Sequence, residues 1–178
     1  MDSKELKKSI LNSRNKTQWN WIVDSVVDEP VLYRSLVQYA LSGDYTITLR
    51  ASWLMDKIAE KEPGIVMTCN AIEKIIEKLP SESNFSVIRA CLRMLSRYEL
   101  VIDNCVELVD SCFKWLKNPG VPIAVKVHSM QLLYYFTLPE PELKNELTII
   151  IEDQLPIGSA GFVSRGKKIL KQLKTISS

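Results

Sequence analysis

The sequence predicts an all-α fold of about ten helices, arranged in antiparallel pairs and stacked as repeats. Three observations predict it. A short pattern returns along the chain, as Leu49-Arg50-Ala51-Ser52-Trp53-Leu54-Met55, Ile88-Arg89-Ala90-Cys91-Leu92-Arg93-Met94 and Val125-Lys126-Val127-His128-Ser129-Met130, with a fainter copy around Arg165. Its basic residue stands at 50, 89, 126 and 165, in steps of 39, 37 and 39, and a fixed period of this size marks a stacked helical repeat. Between the prolines, apolar residues recur at three-four spacing, the stripe of a half-buried helix. No strand pairs, hairpin turns or glycine loops of a βαβ unit stand out.

The eight prolines fall between periodic segments, where proline ends a helix or sits in its first turn. Residues 3–12 form a weak first helix around Leu6, Ile10 and Leu11, and 16–28 a second that carries Trp19, Ile22, Val23 and Val26. Pro30 opens a third, which runs to about Ser42; Gly43 is a suitable stop and Asp44 a suitable N-cap. Tyr45 to Leu49 alternates like a strand, but the pattern continues into Ala51 to Ala59, so 45–61 is predicted as helix. Residues 64–79 carry a stripe of Ile65, Cys69, Ile72, Ile75, Ile76 and Leu79, and Ser81 to Ser83 can cap a helix over 84–98.

Residues 101–117 have the cleanest spacing, through Ile102, Cys105, Val106, Val109, Cys112, Phe113 and Leu116. The turn Asn118-Pro119-Gly120 leads into 121–138, which is apolar almost all round and therefore central. Helices over 141–155 and 160–176 complete the chain, the last holding Phe162, Ile169, Leu170, Leu173 and Ile176. Paired, these helices give repeats over about 30–61, 64–98, 101–138 and 141–176, with 3–28 as a capping pair. The whole of 1–178 is then a single helical-repeat domain in which stacking supplies the core.

The 178 residues are 46% hydrophobic and 25% charged, a globular balance that argues against disorder. A net charge of +2 does not by itself demand a nucleic-acid or membrane partner. The four cysteines form no Cys-x-x-Cys pair and His128 is the single histidine, so neither a metal site nor a cofactor is expected. Buried thiols in a reducing compartment are the simpler reading. The N-terminal Met1 to Lys8 lacks the apolar stretch of a secretory signal, and the strongest apolar run, Leu147 to Ile151, is far too short to span a bilayer. A cytoplasmic location without membrane contact is expected.

The repeats resemble HEAT repeats. In that family the second helix of each repeat carries a basic residue, with an aspartate six positions earlier, and the two help to join repeats in a ladder of hydrogen bonds. Asp44 and Arg50 match that pairing, whereas the later counterparts are Ser83 with Arg89, Gly120 with Lys126 and Ser159 with Arg165. The period of 37–39 lies just below the roughly 40–47 usual for such repeats, and the tetratricopeptide period of about 34 fits less well. The resemblance implies a right-handed α-α superhelix, a HEAT/armadillo-like solenoid, whose second helices line a concave side. The chain also resembles short bacterial HEAT-like proteins, through Cys112-Phe113-Lys114-Trp115-Leu116, Val125 to Gln131 and the lysine-rich last helix. Some of those are described as adenylosuccinate lyases, yet the Ser-rich Met-Pro-Lys-Asn loop of such lyases is missing from this sequence.

Several residues are candidates for chemistry, each with a plainer role beside the sharper one. His128, in an apolar helix, reads first as a packed residue, since the sequence places no nucleophile or orienting carboxylate beside it. Trp19, Trp21, Trp53 and Trp115 read first as packing aromatics. Trp53, on a second-type helix, is the best of them for a stacking or anchoring role. Asp56 and Glu60, on the same helix, read as ion-pair partners. Arg89, Arg93 and Arg97 are spaced i, i+4, i+8 and form one stripe along a helix. With Arg50 and Lys126 they make a basic strip suited to carboxylates or phosphates, or else a solvated face or internal ladder. The lysines of the last helix read as the polar face of an end cap.

The function that follows is a non-enzymatic interaction module, monomeric or weakly dimeric. It would bind a protein or acidic peptide on its concave face, through Arg50, Arg89, Arg93, Arg97, Lys126 and Trp53, with no catalytic residue. The alternative is nucleic-acid binding related to the HEAT-like DNA glycosylases of alkylation repair, which use aromatic and acidic residues. The basic strip and Trp53 motivate it, and salt-dependent DNA binding would reveal it.

Overall fold

A computed structural model describes residues 1–98, 100 and 105–175. The described residues form ten α-helices and no strand: α1 Ser3–Asn12, α2 Lys16–Asp28, α3 Val31–Ala40, α4 Tyr45–Lys61, α5 Ala71–Lys78, α6 Phe85–Leu95, α7 Val106–Lys117, α8 Ile123–Phe136, α9 Leu143–Gln154 and α10 Ala160–Leu173. Short 3-10 helices, Pro63–Thr68, Leu79–Ser81 and Leu155–Ile157, lead into or out of them. The fold is all-α, as the periodicity predicts.

The helix starts follow from local chemistry. Asp2 and Glu5 form a reciprocal capping box at α1. Asn15 accepts from the Gln18 amide at the start of α2, and Ser159 from the Phe162 amide at the start of α10. Gly43 takes φ +79° after α3, a conformation that a Cβ disfavours. Asp44 then accepts from the amides of Thr46 and Ile47. That cap turns the strand-like Tyr45 to Leu49 run into the first turns of α4, which bury Ile47 and Thr48 and leave Tyr45 in solvent.

Two boundaries differ from the sequence reading. The helix expected over 64–79 is broken: Pro63–Thr68 is a 3-10 segment, and Asn70 stands at φ 50° just before α5. Asparagine tolerates this left-handed geometry, and one such residue ends the α ladder. The helix expected over 84–98 closes at Leu95, so Arg97 lies in the following turn and is not on the helix. The expected start of the next helix, including Ile102, and the final Ile176 lie outside the described residues.

The helices gather into two compact units, Met1–Met94 and Leu95–Ser178. In the first, α4 packs against α1, α2 and α3. Its core holds Leu6, Ile10, Ile22, Val26, Leu36, Leu54, Met55 and Ile58, all fully buried, each contributing about 2 kcal/mol of burial. In the second, α8 packs against α7, α9 and α10, and Val125, Met130, Leu132 and Leu133 have no exposure. The nearly all-round apolar pattern of α8 therefore does mark a central helix.

Candidate functional site

The repeated basic residues have four different fates. Arg50, on α4, donates from Nη1 to the carbonyls of Ile10 (3.0 Å) and Leu11 (2.6 Å). These belong to the last turn of α1, where carbonyls lack partners within the helix. Arg50 makes no ion pair with Asp44, whose side chain caps α4 instead. Lys126 is 5% exposed, and its Nζ donates to Gln154 Oε1 at 3.1 Å. Gln154 Nε2 passes the bond on to the carbonyl of Leu116 (3.1 Å), in the last turn of α7. Burial lowers the Lys126 pKa from its ordinary value. Arg165 donates to the buried Gln131 Oε1 at 2.6 Å. Arg89 alone of the four is exposed, and makes no hydrogen bond or ion pair among the described residues.

Arg93 is engaged as well. Its Nε lies 2.9 Å from Oδ2 of Asp56 and its Nη2 3.4 Å from Glu60 Oε2, which joins α6 to α4. Asp56 is 3% exposed, so this is the pairing that a buried carboxylate requires. Asp56 and Glu60 are thus ion-pair partners, as their placement suggests. Arg50, Arg93 and Lys126 are committed to neighbours within the fold, and the expected basic strip is in large part an internal bonding system. His128, half-buried on α8, has Nδ1 3.1 Å from Ser96 Oγ. The Tyr135 hydroxyl donates to the Ser96 carbonyl at 3.4 Å, so the histidine helps to tie the turn after α6 to α8.

The first unit contains a groove of about 560 Å³ between α2 and α4, within the roughly 300–1,000 Å³ typical of ligand sites. Trp19 and Val23 of α2 form one wall and Trp53 of α4 the other. The two indoles meet edge to face, with centroids 5.6 Å apart and planes at 73°, the geometry that aromatic quadrupoles favour. Trp53 remains 40% exposed. The Arg50 guanidinium lies 5.8 Å from the Trp19 ring centre, so one cation both holds the end of α1 and backs this wall.

Four cations, Arg14, Lys16, Lys57 and Lys61, border the groove against one carboxylate, Glu60. Lys57 pairs with Glu60 at 2.8 Å and Lys61 with Asp24. Arg14 bonds the Leu11 carbonyl at 2.9 Å. Lys16 is exposed and makes no bond among the described residues. The groove is an apolar, aromatic cleft with a net positive rim, suited to holding an apolar side chain beside an anionic group.

A family model for the HEAT repeat domain matches residues 5–173. The chain belongs to the HEAT repeat family. A comparison with curated proteins finds no match. HEAT repeat domains are helical scaffolds that often serve protein interaction. In this HEAT repeat chain the described residues contain no group of three or more His, Cys, Asp or Glu placed to hold a metal, and no helix long and apolar enough to cross a membrane.

Of the expected contact residues, Trp53 lines the groove and Arg50 backs it, whereas Arg89, Arg93, Arg97 and Lys126 do not line it. Reading the sequence by repeat position took Trp19 as a packing aromatic and did not single out Arg14, Lys16, Lys57 or Lys61. A signal was present: Trp53, Lys57 and Lys61 are spaced i, i+4, i+8, and Trp19 has Lys16 at i−3 and Val23 at i+4. Each set forms one line along its helix.

Proposed function

We propose that this HEAT repeat chain is a non-enzymatic interaction module and that the α2/α4 groove receives a segment of a partner protein. The observation that carries the reading is the open aromatic cleft: two tryptophans packed against each other, one still 40% exposed, inside a cationic border. Tryptophan is enriched among the anchors of protein contacts, because a rigid ring buries much area at little entropic cost. The basic residues that the repeat pattern singles out have a different role. Three of the four close helix ends or buried amides. Three of the four residues of a basic track for nucleic acid are therefore already engaged within the fold, and the protein reading is the better supported.

Display of random peptides against the intact chain, repeated against Trp53→Ala, tests the proposal. Peptides enriched by the native chain are expected to lose about thirtyfold in affinity for the variant, with its helical circular dichroism unchanged. Enriched peptides that bind both proteins equally would contradict the groove as the contact surface.

A further inference from the structure

Resting on the reading that this groove receives a protein segment, we infer the chemistry of that segment: an acidic stretch of a partner with one aromatic or aliphatic anchor. The anchor enters between Trp53 and Val23, and the flanking carboxylates lie over Lys16 and Arg14.

Charge complementarity carries the inference. The lining residues comprise four cations and one anion, in a chain whose net charge is only +2. Positive charge is therefore concentrated at this border. The cations are unequal. Lys57 and Lys61 already face Glu60 and Asp24, which leaves the α2 end as the positive pole. There Lys16 has no partner among the described residues. Arg14 uses Nη1 on the carbonyls of Leu11 and Ser13, and among the described residues no bond involves its Nη2. The cleft thus has polarity along its length, with carboxylate-receiving groups at the Lys16 end and charges already paired at the Glu60 end.

The same polarity separates peptide from nucleic acid. A phosphodiester strand places a negative charge at every step, and at the Glu60 end those charges would find Lys57 and Lys61 already paired with Glu60 and Asp24. A peptide can set its acids at one end only, and lay uncharged backbone over the already paired charges at the other. Asn20, an exposed amide on the groove with no bond among the described residues, supplies both a donor and an acceptor to a peptide backbone.

The test is a titration of the native chain followed through the Trp19 and Trp53 indole N–H signals in NMR. One probe is a short synthetic peptide with a central phenylalanine and aspartates on one side. Its controls replace the aspartates by lysine or the phenylalanine by alanine, and a short single-stranded oligothymidylate is the last probe. The acidic, anchored peptide is expected to move both indole signals, and to weaken severalfold between about 50 and 200 mM salt. Lys16→Glu, at an exposed position in the first turn of α2 where an acid suits the helix, is expected to weaken it about fivefold. Equal or tighter binding of the lysine-substituted peptide, or of the oligothymidylate, at the same indoles would overturn the acidic-peptide chemistry while leaving the groove as a contact surface. If no probe moves either indole, both the chemistry and the groove reading fail.

Discussion

Arg93 and Asp56 form an ion pair with unequal ends: the carboxylate is almost fully buried, while the arginine side chain is 38% exposed. Their removal should therefore be unequal. Arg93→Met takes the guanidinium from a carboxylate that water can scarcely reach, and is expected to cost about 2 kcal/mol in urea unfolding. Asp56→Asn leaves a neutral acceptor and an arginine that water can solvate, and is expected to cost about half as much. Equal costs would mean that the pair is as wet at Asp56 as at Arg93. The thiols make a second residue-scale case. Burial raises the pKa of Cys91 and of Cys112 from 9.0 to about 12, with Glu82 and Asp56 adding to the shift at Cys91. A raised pKa means that the folded chain holds protons that the unfolded chain releases. Stability is then unaffected by these groups below about pH 9 and falls from pH 9 toward 12. Urea unfolding across that range, repeated on Cys91→Ala/Cys112→Ala, is expected to show a shallower alkaline loss in the double variant. An identical loss would place the thiols in water.

At the scale of elements, α10 approaches α9 through Gly166. A Cβ added there would stand 2.9 Å from Ile151 Cγ2 and 3.2 Å from Leu155 Cδ2. Ile151 is fully buried and β-branched, so it has little room to turn away. Gly166→Ala gains helix propensity of about 1 kcal/mol, but the overpacking is expected to exceed it. The net destabilisation should be roughly 1 kcal/mol in urea unfolding, and a stabilised variant would show that the two helices part easily. The sequence makes most elements legible, since proline and apolar spacing mark all ten helices. What it hides is local and has a physical cause. The stripe over 64–79 does satisfy helical spacing, yet one left-handed residue, Asn70, divides it. Such a break leaves the apolar pattern intact and is invisible to periodicity. Arg97 falls past the end of α6 for a similar reason: i, i+8 spacing describes a helix only while the helix lasts.

For the whole molecule, the period of basic residues is the clearest feature of the sequence, and the HEAT repeat match confirms the class that it indicates. Its meaning is only partly legible. Spacing shows that Arg50 and Lys126 occupy equivalent places, but not that each reaches the end of another helix, Arg50 directly and Lys126 through Gln154. A hydrogen-bond partner some forty residues away depends on packing, which one sequence does not display. For that reason the stripe at 89, 93 and 97 looks like a binding surface in the sequence, while the fold assigns Arg93 to Asp56 and opens a cleft at Trp53. One comparison separates the two places. For a peptide selected on the native chain, affinity is measured for Trp53→Ala and for Arg89→Glu, an exposed position of the stripe outside the groove. The predicted result is a loss of about thirtyfold for Trp53→Ala and a change of less than about twofold for Arg89→Glu. The reverse order, with Arg89→Glu abolishing binding and Trp53→Ala leaving it intact, would contradict the account.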